Sequence, residues 1–308
     1  MRILITGASG FLGTHLCHYL ATLGWDVTGL SSKDADLTDP GALDKYSKNS
    51  YEKIFHLAAW TQAGDFCLYH QGEQWLINQQ INTNVLRWWH EKQPKSKLIS
   101  IGTSCVYEEG GSLKEQEYLQ GTPIESLYTY AMTKRMLLIG QKALAKQFGS
   151  EWLTVVPSTL YGAGYHIGTK QMHFIFDLAW KILRGKHNGD DVVLWGDGSQ
   201  RRELVDVGDF VKILVYLDEK CSNEVINIGA GYDFSIKEVA NSLCEIIGYD
   251  KEKLIFDTTR YVGAHSKMLN VERLESLYPN RPVTPLSSGL RNLVLWLEPL
   301  FIKVNNAR

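Results

Sequence analysis

Short apolar runs of strand length recur through the first half of the chain, at residues 2–6, 26–30, 53–57, 97–101 and 152–156, each bounded by polar or glycine residues. Between them, residues 11–23 and 76–89 carry apolar side chains at the three-and-four spacing of a helix face. Strands alternating with helices predict parallel strands joined by crossover helices. Runs that are apolar at consecutive positions suit strands covered on both faces. The expected class is α/β, with a doubly wound parallel sheet.

Near residue 162 the rhythm changes. Tyr161-Gly162-Ala163-Gly164 reads as a loop and 172–183 as a helix, followed by a Gly/Asp-rich stretch at 185–189. The segment 192–205 is broken at Gly196-Asp197-Gly198, and further helices are expected over 235–247 and 271–277. This pattern predicts a smaller cap packed on the edge of the sheet, with 224–228 returning to it. The division is residues 1–162 for the sheet domain, which also receives a segment near 205–230, and 163–308 mainly for the cap.

Composition narrows the function. The 308 residues suit one large domain or two small ones, and 44% hydrophobic with 21% charged residues is ordinary globular content. Lys and Arg number 32 against 34 Asp and Glu, a net charge of −2, which argues against nucleic-acid and membrane-surface partners. The apolar runs fall far short of the roughly 18 residues a spanning helix needs. Cys17, Cys67, Cys105, Cys221 and Cys244 are odd in number and lack Cys-x-x-Cys spacing. They read as free thiols of a reducing compartment, with the cytoplasm as the expected location and no metal site.

Gly7-Ala8-Ser9-Gly10-Phe11-Leu12-Gly13 follows the first strand and opens the first helix. In this Gly-x-x-Gly-x-x-Gly spacing the first glycine permits a tight turn. The second lets a pyrophosphate approach the backbone, and the third lets helix pack closely on strand. The helix N-terminus then offers N–H groups and partial positive charge to phosphates. Ser9, Phe11 and Leu12 belong to the same dinucleotide cradle, that of a Rossmann-type fold. The second strand ends Gly29-Leu30-Ser31-Ser32-Lys33, with no carboxylate before Asp34. A 2′-phosphate on the adenosine ribose suits Ser32 and Lys33, so NADPH/NADP is expected over NAD; a solvated loop lysine is the plainer reading.

Tyr130 and Lys134 stand four residues apart in a stretch that continues as a helix through Ala145, so phenol and ammonium share one face. A phenol titrates near 10 and exchanges protons poorly at neutral pH, and an adjacent cation is expected to lower it. The fourth strand ends Gly102-Thr103-Ser104-Cys105-Val106-Tyr107, which brings hydroxyls to the edge where a parallel sheet gathers its ligands.

Glycine loop, strand-end hydroxyl and Tyr-Lys in this order resemble the extended short-chain dehydrogenase/reductase family, many of whose members act on nucleotide sugars. His56-Leu57-Ala58-Ala59 and Asn78 also match its pattern. The resemblance implies Thr103 as the hydroxyl on the substrate oxygen, Tyr130 as acid/base and Lys134 as its partner. It further implies Asp36, Leu37, Leu57, Ala58, Ala59, Asn78 and Pro157 at the cofactor. Family dehydratases carry Asp-Glu after the strand-end hydroxyl, where this chain has Ser104-Cys105. That cysteine resembles the family's 3,5-epimerase/4-reductases of GDP-4-keto-6-deoxy sugars. Pro157-Ser158-Thr159-Leu160-Tyr161-Gly162 is similar to a run in that branch, and continuing from it implies His173 as the partner of Cys105 in epimerisation. Thr159, Lys181, Trp195, Arg202 and Lys267 are implied at the nucleotide sugar. Taken singly, a strand-end cysteine and a histidine on an apolar helix are ordinary structural residues.

Two departures bear on the substrate. Thr159 stands where the branch has asparagine, and Tyr261-Val262-Gly263-Ala264-His265-Ser266 departs from its usual run. A related deoxyhexose or heptose, or a different nucleotide, is therefore open. The alternative reading is an NAD(P)-dependent 4-epimerase or a 4-ketoreductase that leaves C3 and C5 untouched. A homodimer is implied by analogy with the family.

Overall fold

Ile3, Leu4, Ile5, Ile54, Phe55, Leu98, Ile99, Leu153 and Val155 are fully excluded from solvent, as strands covered on both faces require. They belong to a computed structural model that describes residues 1–62, 66–167, 171–259 and 266–306. Its strands are β1 (Arg2–Thr6), β2 (Asp26–Leu30), β3 (Lys53–His56), β4 (Lys97–Ile101), β5 (Trp152–Pro157), β6 (Thr159–Tyr161), β7 (Val192–Trp195), β8 (Arg201–Arg202), β9 (Leu204–Asp206), β10 (Glu224–Ile228), β11 (Phe234–Ser235) and β12 (Leu254–Asp257). Its helices are α1 (Phe11–Thr22), α2 (Phe66–Tyr69), α3 (Gln71–Lys92), α4 (Tyr128–Phe148), α5 (Phe174–Asn188), α6 (Val207–Lys220), α7 (Ile236–Ile247), α8 (Glu272–Leu277) and α9 (Leu286–Asn306).

The main sheet has six strands in the order β10-β5-β4-β3-β1-β2, every pair parallel. The chain leaves β1 for β2 on one side and returns to β3 on the other. The crevice beyond the carboxyl ends of β1 and β3 is thus the switch point at which such sheets hold ligands. Helices α3 and α4 pack together, as do α1 and α6. As expected, Glu224–Ile228 returns to the sheet as its outer strand beside β5.

A second core joins α5, α7 and α9 around Phe176, Ile182, Leu243, Leu293 and Phe301. Helix α7 opens on a full capping box between Ser235 and Glu238. Helix α9 was not anticipated from the sequence. Pro299 lies within it, yet its buried stripe of Leu290, Leu293, Val294, Leu297 and Phe301 has helical spacing, and that apolar contact outweighs the missing N–H. Most strand boundaries match the expected runs, with β3 one residue shorter and β5 one longer. Helix α5 corrects the expected 172–183: Met172 and His173 lie before it, and His173 is its N-cap, in extended backbone at φ −60°, ψ 146°. Among the described residues no helix is long and apolar enough to cross a membrane.

The glycine loop is the tightest junction in the sheet domain. Gly7 has φ +70°, and a Cβ there would lie 2.8 Å from the Ala58 nitrogen. A Cβ on Gly13 would fall 2.2 Å from the Gly7 carbonyl oxygen, a backbone atom that cannot swing aside. Gly13→Ala is therefore expected to lower stability by about 1–3 kcal/mol in urea unfolding; an unchanged midpoint would contradict this packing.

Candidate active site

Helix α1 starts at the glycine loop with Gly10 as N-cap, no side-chain cap and no acidic residue in its first turn. Positive partial charge at this end is left uncompensated by any carboxylate. This suits a pyrophosphate, on a loop whose close backbone packing at Gly7 and Gly13 leaves no room for a Cβ. Ser9 is exposed and its carbonyl accepts from His166 Nε2 at 3.2 Å. The Phe11 ring packs edge-on to Tyr165 and Phe176, and Leu12 packs against the main core. Both side chains therefore face protein, leaving the backbone of this turn as the contact surface.

After β2, Ser32 and Lys33 are exposed. The Asp34 carboxylate turns back to accept from Ser31 N (2.9 Å) and Oγ (2.6 Å), bonds that hold it below the usual carboxylate range. Asp36 is occupied similarly by Thr38 N and Oγ1. The Leu37 side chain is buried in the core, and its carbonyl accepts from Asn84 Nδ2 at 2.9 Å.

A directed chain of hydrogen bonds crosses the carboxyl end of the sheet. Thr6 Oγ1 accepts from Ala58 N at 3.3 Å and meets His56 Nδ1 at 2.8 Å. His56 Nε2 meets Asn82 Oδ1 at 3.2 Å, and Asn82 Nδ2 donates to the Thr133 carbonyl at 3.2 Å. Burial, and then the charge of Lys134, lower His56 to about 4, so its ring is neutral. In the arrangement that satisfies every group, Thr6 donates to Nδ1 and Nε2–H donates onward. The loop holding Leu57, Ala58 and Ala59 is fixed from its far side by Asn78, which bonds both Trp60 N and Trp60 O at 2.9 Å. Both Asn78 amide protons are engaged, the second by Gln74 O. Asn78 thus shapes the loop that carries Leu57, Ala58 and Ala59. Pro157 ends β5 beside Ile228.

Thr103 caps the turn after β4 and accepts from Cys105 N at 3.2 Å. Lys134 Nζ lies 5.9 Å from the centre of the Tyr130 ring and donates to the Ile101 carbonyl at 2.9 Å. Burial lowers Lys134 to about 8. The phenol departs from expectation: Tyr130 is pushed up, by burial first and then by the Cys105 and Cys67 thiols. Desolvation outweighs a lysine whose ammonium is aimed at a carbonyl, so Tyr130 is a protonated donor.

Cys105 is half-buried, with Lys267 Nζ 4.0 Å from its sulfur. His173 is exposed at the start of α5, and it is held below its ordinary value first by desolvation in the surrounding protein and then by Arg202 and Lys267. Five of the expected residues thus form one electrostatic set: Tyr130, Cys105, Lys267, His173 and Arg202. Others are dispersed around it. Lys181 pairs with Asp177 at 2.9 Å one turn along α5, Trp195 is exposed at the end of β7, and Thr159 is half-buried opposite Leu204. Of the atypical run 261–266, residues 261–265 lie outside the described residues, and Ser266 Oγ donates to Asp233 Oδ2 at 3.0 Å.

Sequence reasoning missed Asn82 and Glu203. Glu203 is almost fully buried, and its carboxylate accepts from Gly231 N at 2.9 Å and Leu269 N at 3.0 Å. It ties Arg202 to the segment carrying Lys267. An acid alone among the apolar positions of 204–205 was the available signal. Because like charges depress His173, Arg202→Gln is expected to raise the His173 pKa in a histidine NMR titration; no movement, or a fall, would remove Arg202 from this wall.

Residues 3–229 match the NAD dependent epimerase/dehydratase family. The chain is 28% identical over 299 residues to GDP-L-fucose synthase of Azorhizobium caulinodans, covering 94% of each. It is 26% identical to GDP-L-colitose synthase of Yersinia pseudotuberculosis, covering 88% of this chain and 89% of that one. Among solved structures, GDP-L-fucose synthetase of Naegleria fowleri bound to NADP is similar with a TM-score of 0.87 and 24% identity, covering 98% and 93% of the two chains. With its glycine loop, parallel sheet and Tyr-Lys helix in the order the match spans, the chain belongs to the NAD dependent epimerase/dehydratase family.

Proposed function

We propose that this chain is an NADPH-dependent epimerase/reductase of a GDP-linked 4-keto-6-deoxy sugar. The observation carrying this reading is that a thiol and an imidazole, Cys105 and His173, both lie beside Lys267, with Tyr130 beside the thiol and Arg202 beside the imidazole, and two cations suit a diphosphate. The names of the relatives support a GDP-sugar substrate and NADP. Gly7, Gly10 and Gly13 would hold the cofactor's pyrophosphate, and Ser32 and Lys33 its 2′-phosphate. When bound, the cofactor supplies hydride to C4.

In a 4-keto sugar the hydrogens on C3 and C5 are both α to the carbonyl. Removing either places charge on the C4 oxygen, where Thr103 and Tyr130 hydrogen-bond it as the charge develops. One carbon face needs a base and the other an acid, and Cys105 and His173 fill these roles. Desolvation, and then the charges of Arg202 and Lys267, hold His173 below its ordinary value in the free protein. A diphosphate beside them would offset that part of the field and raise the imidazole toward the range of an acid. Tyr130, a protonated phenol, then donates to the oxygen during reduction while the Lys134 ammonium stabilises the phenolate formed. Trp195, exposed at the end of β7, would stack on the base.

The test is NADPH oxidation with GDP-4-keto-6-deoxymannose in heavy water. Deuterium is expected at C3 and C5 of the product; turnover with none at either carbon identifies a plain 4-reductase. Cys105→Ser and His173→Gln are each expected to slow exchange by about 100-fold or more while hydride transfer falls less. Equal losses of both would make these residues structural.

Lys134 gives the pH dependence. Its charged form, lost as pH rises through about 8, stabilises the developing phenolate. The kcat/KM for reduction is therefore expected to be level below pH 7 and to fall above about 8; a profile level to pH 10 would contradict this role.

We also propose a homodimer. Trp75 and Leu76 on α3 and Tyr128, Met136 and Ile139 on α4 are exposed large apolar residues on two helices packed side by side. A second copy burying this face accounts for them. Sedimentation is expected to show a dimer that Leu76→Asp with Ile139→Asp converts to monomer; a monomeric parent protein would refute the assignment.

A further inference from the structure

Residues 163–166, which follow β6, lie against the glycine loop and the first turns of α1. His15 on α1 donates from Nε2 to the Ala163 carbonyl at 2.8 Å, and His166 Nε2 donates to the Ser9 carbonyl at 3.2 Å. A carbonyl only accepts, so each ring carries a proton on Nε2. Between these two bonds the Tyr165 ring packs edge-on to Phe11, with centres 5.5 Å apart. Phe11 is the first residue of α1, so its own N–H is among those a helix start leaves for a phosphate. Gly10 N donates to the Gly7 carbonyl at 3.0 Å, which closes the turn carrying the Ser9 carbonyl. The segment is therefore docked on the cradle itself, through Ala163, Tyr165 and His166.

Tyr165 also reaches α5. Its ring is stacked on Phe176, with centres 3.9 Å apart and planes 9° from parallel, and Phe176 is fully buried. The Tyr165 hydroxyl accepts from the His173 N–H at 3.3 Å. His173 is the N-cap of α5 and its side chain makes no capping bond. Its carbonyl accepts from Phe176 N at 2.9 Å and Asp177 N at 3.1 Å. The backbone of His173 is thus held by the helix through its carbonyl and by Tyr165 through its N–H. One aromatic side chain touches both the helix start that suits a pyrophosphate and the peptide that carries the imidazole.

Resting on the epimerase reading above, we propose that Tyr165 is a positioning residue that ties the backbone of His173 to the cofactor cradle, so that filling the cradle with a dinucleotide is felt at the imidazole. Phe11, Tyr165 and Phe176 form one packed cluster, and closely packed rings transmit a displacement that free chain would absorb. A pyrophosphate on the N–H groups of the first turn of α1 fixes the Ser9 and Phe11 backbone, on which His166 and Tyr165 rest. The bonds from His166 to Ser9 and from His173 to Tyr165 are exposed. Each is a hydrogen bond of modest net worth, so the hold on His173 is weak in the free protein and firms when the turn beneath it is fixed. The imidazole is then placed relative to the bound dinucleotide by the same turn that holds the pyrophosphate.

The first arm of the test needs no sugar. In protein carrying isotope-labelled histidine, the His173 ring signal is assigned by its loss in His173→Gln and followed by NMR as NADP is added. NADP is expected to move that signal in the parent protein. Tyr165→Phe keeps both ring contacts and loses only the hydroxyl. It is expected to shrink the movement about fivefold while NADP affinity changes by no more than about threefold, within the worth of one neutral hydrogen bond. A parent signal that NADP leaves in place overturns the proposal. So does an equal movement in Tyr165→Phe, the mark of direct contact with the dinucleotide, and so does loss of NADP binding in that variant, which would make the hydroxyl part of the cradle. In the second arm, NADPH and GDP-4-keto-6-deoxymannose in heavy water, Tyr165→Phe is expected to slow deuterium entry about fivefold and hydride transfer less; equal slowing of both overturns the positioning role. A His173 signal that responds as expected in a protein inert toward 4-keto GDP-sugars upholds the Tyr165 link and refutes the epimerase reading instead.

Discussion

The site depends on the hydrogen-bonded path from Thr6 through His56 and Asn82 to the Thr133 carbonyl. It joins the end of β1, where the glycine loop begins, to the turn of α4 between Tyr130 and Lys134. Without it, two parts of one reaction centre would be positioned by separate elements with nothing to fix their spacing. Its direction requires a neutral histidine, and burial beside the Lys134 ammonium keeps His56 neutral through the physiological range. A buried polar chain with every member satisfied specifies one arrangement, whereas a half-satisfied one would be costly.

Around that frame the cleft holds its acid and base groups away from their solution values. Tyr130 is a better-protonated phenol and Lys134 a more easily lost proton than either is in water. His173 is held low by desolvation and then by cations that a diphosphate would offset. On the proposed reading, protonation of His173 and occupancy by a diphosphate would be coupled. Glu203 underlies this coupling, because its buried carboxylate fastens the backbone of the Lys267 segment to the strand end carrying Arg202.

The sheet was legible because its strands are apolar on both faces, a pattern that needs no tertiary information. The glycine loop was equally plain, since the steric demand at Gly7 and Gly13 is local. Helix α5 was misjudged at its start because Met172 and His173 continue the apolar spacing, whereas the break lies in the backbone angle of His173. Pro299 hid α9. The direction of the Tyr130 shift was unreadable because it depends on how deeply the phenol is enclosed. The Lys267–Cys105 contact joins residues 162 positions apart, and Glu203 acts on backbone 28 and 66 positions away. No spacing rule reaches such pairs. Thr159 marks the remaining question of sugar identity, since it lines β6 where a relative's asparagine is expected.

The most direct measurement is the structure of a ternary complex with NADP and a GDP-linked hexose. The account predicts the Cys105 sulfur and the His173 imidazole on opposite faces of the pyranose, with C4 between Tyr130 and the nicotinamide. A hexose with both groups on one face, or with the sulfur turned away from the ring, would contradict it.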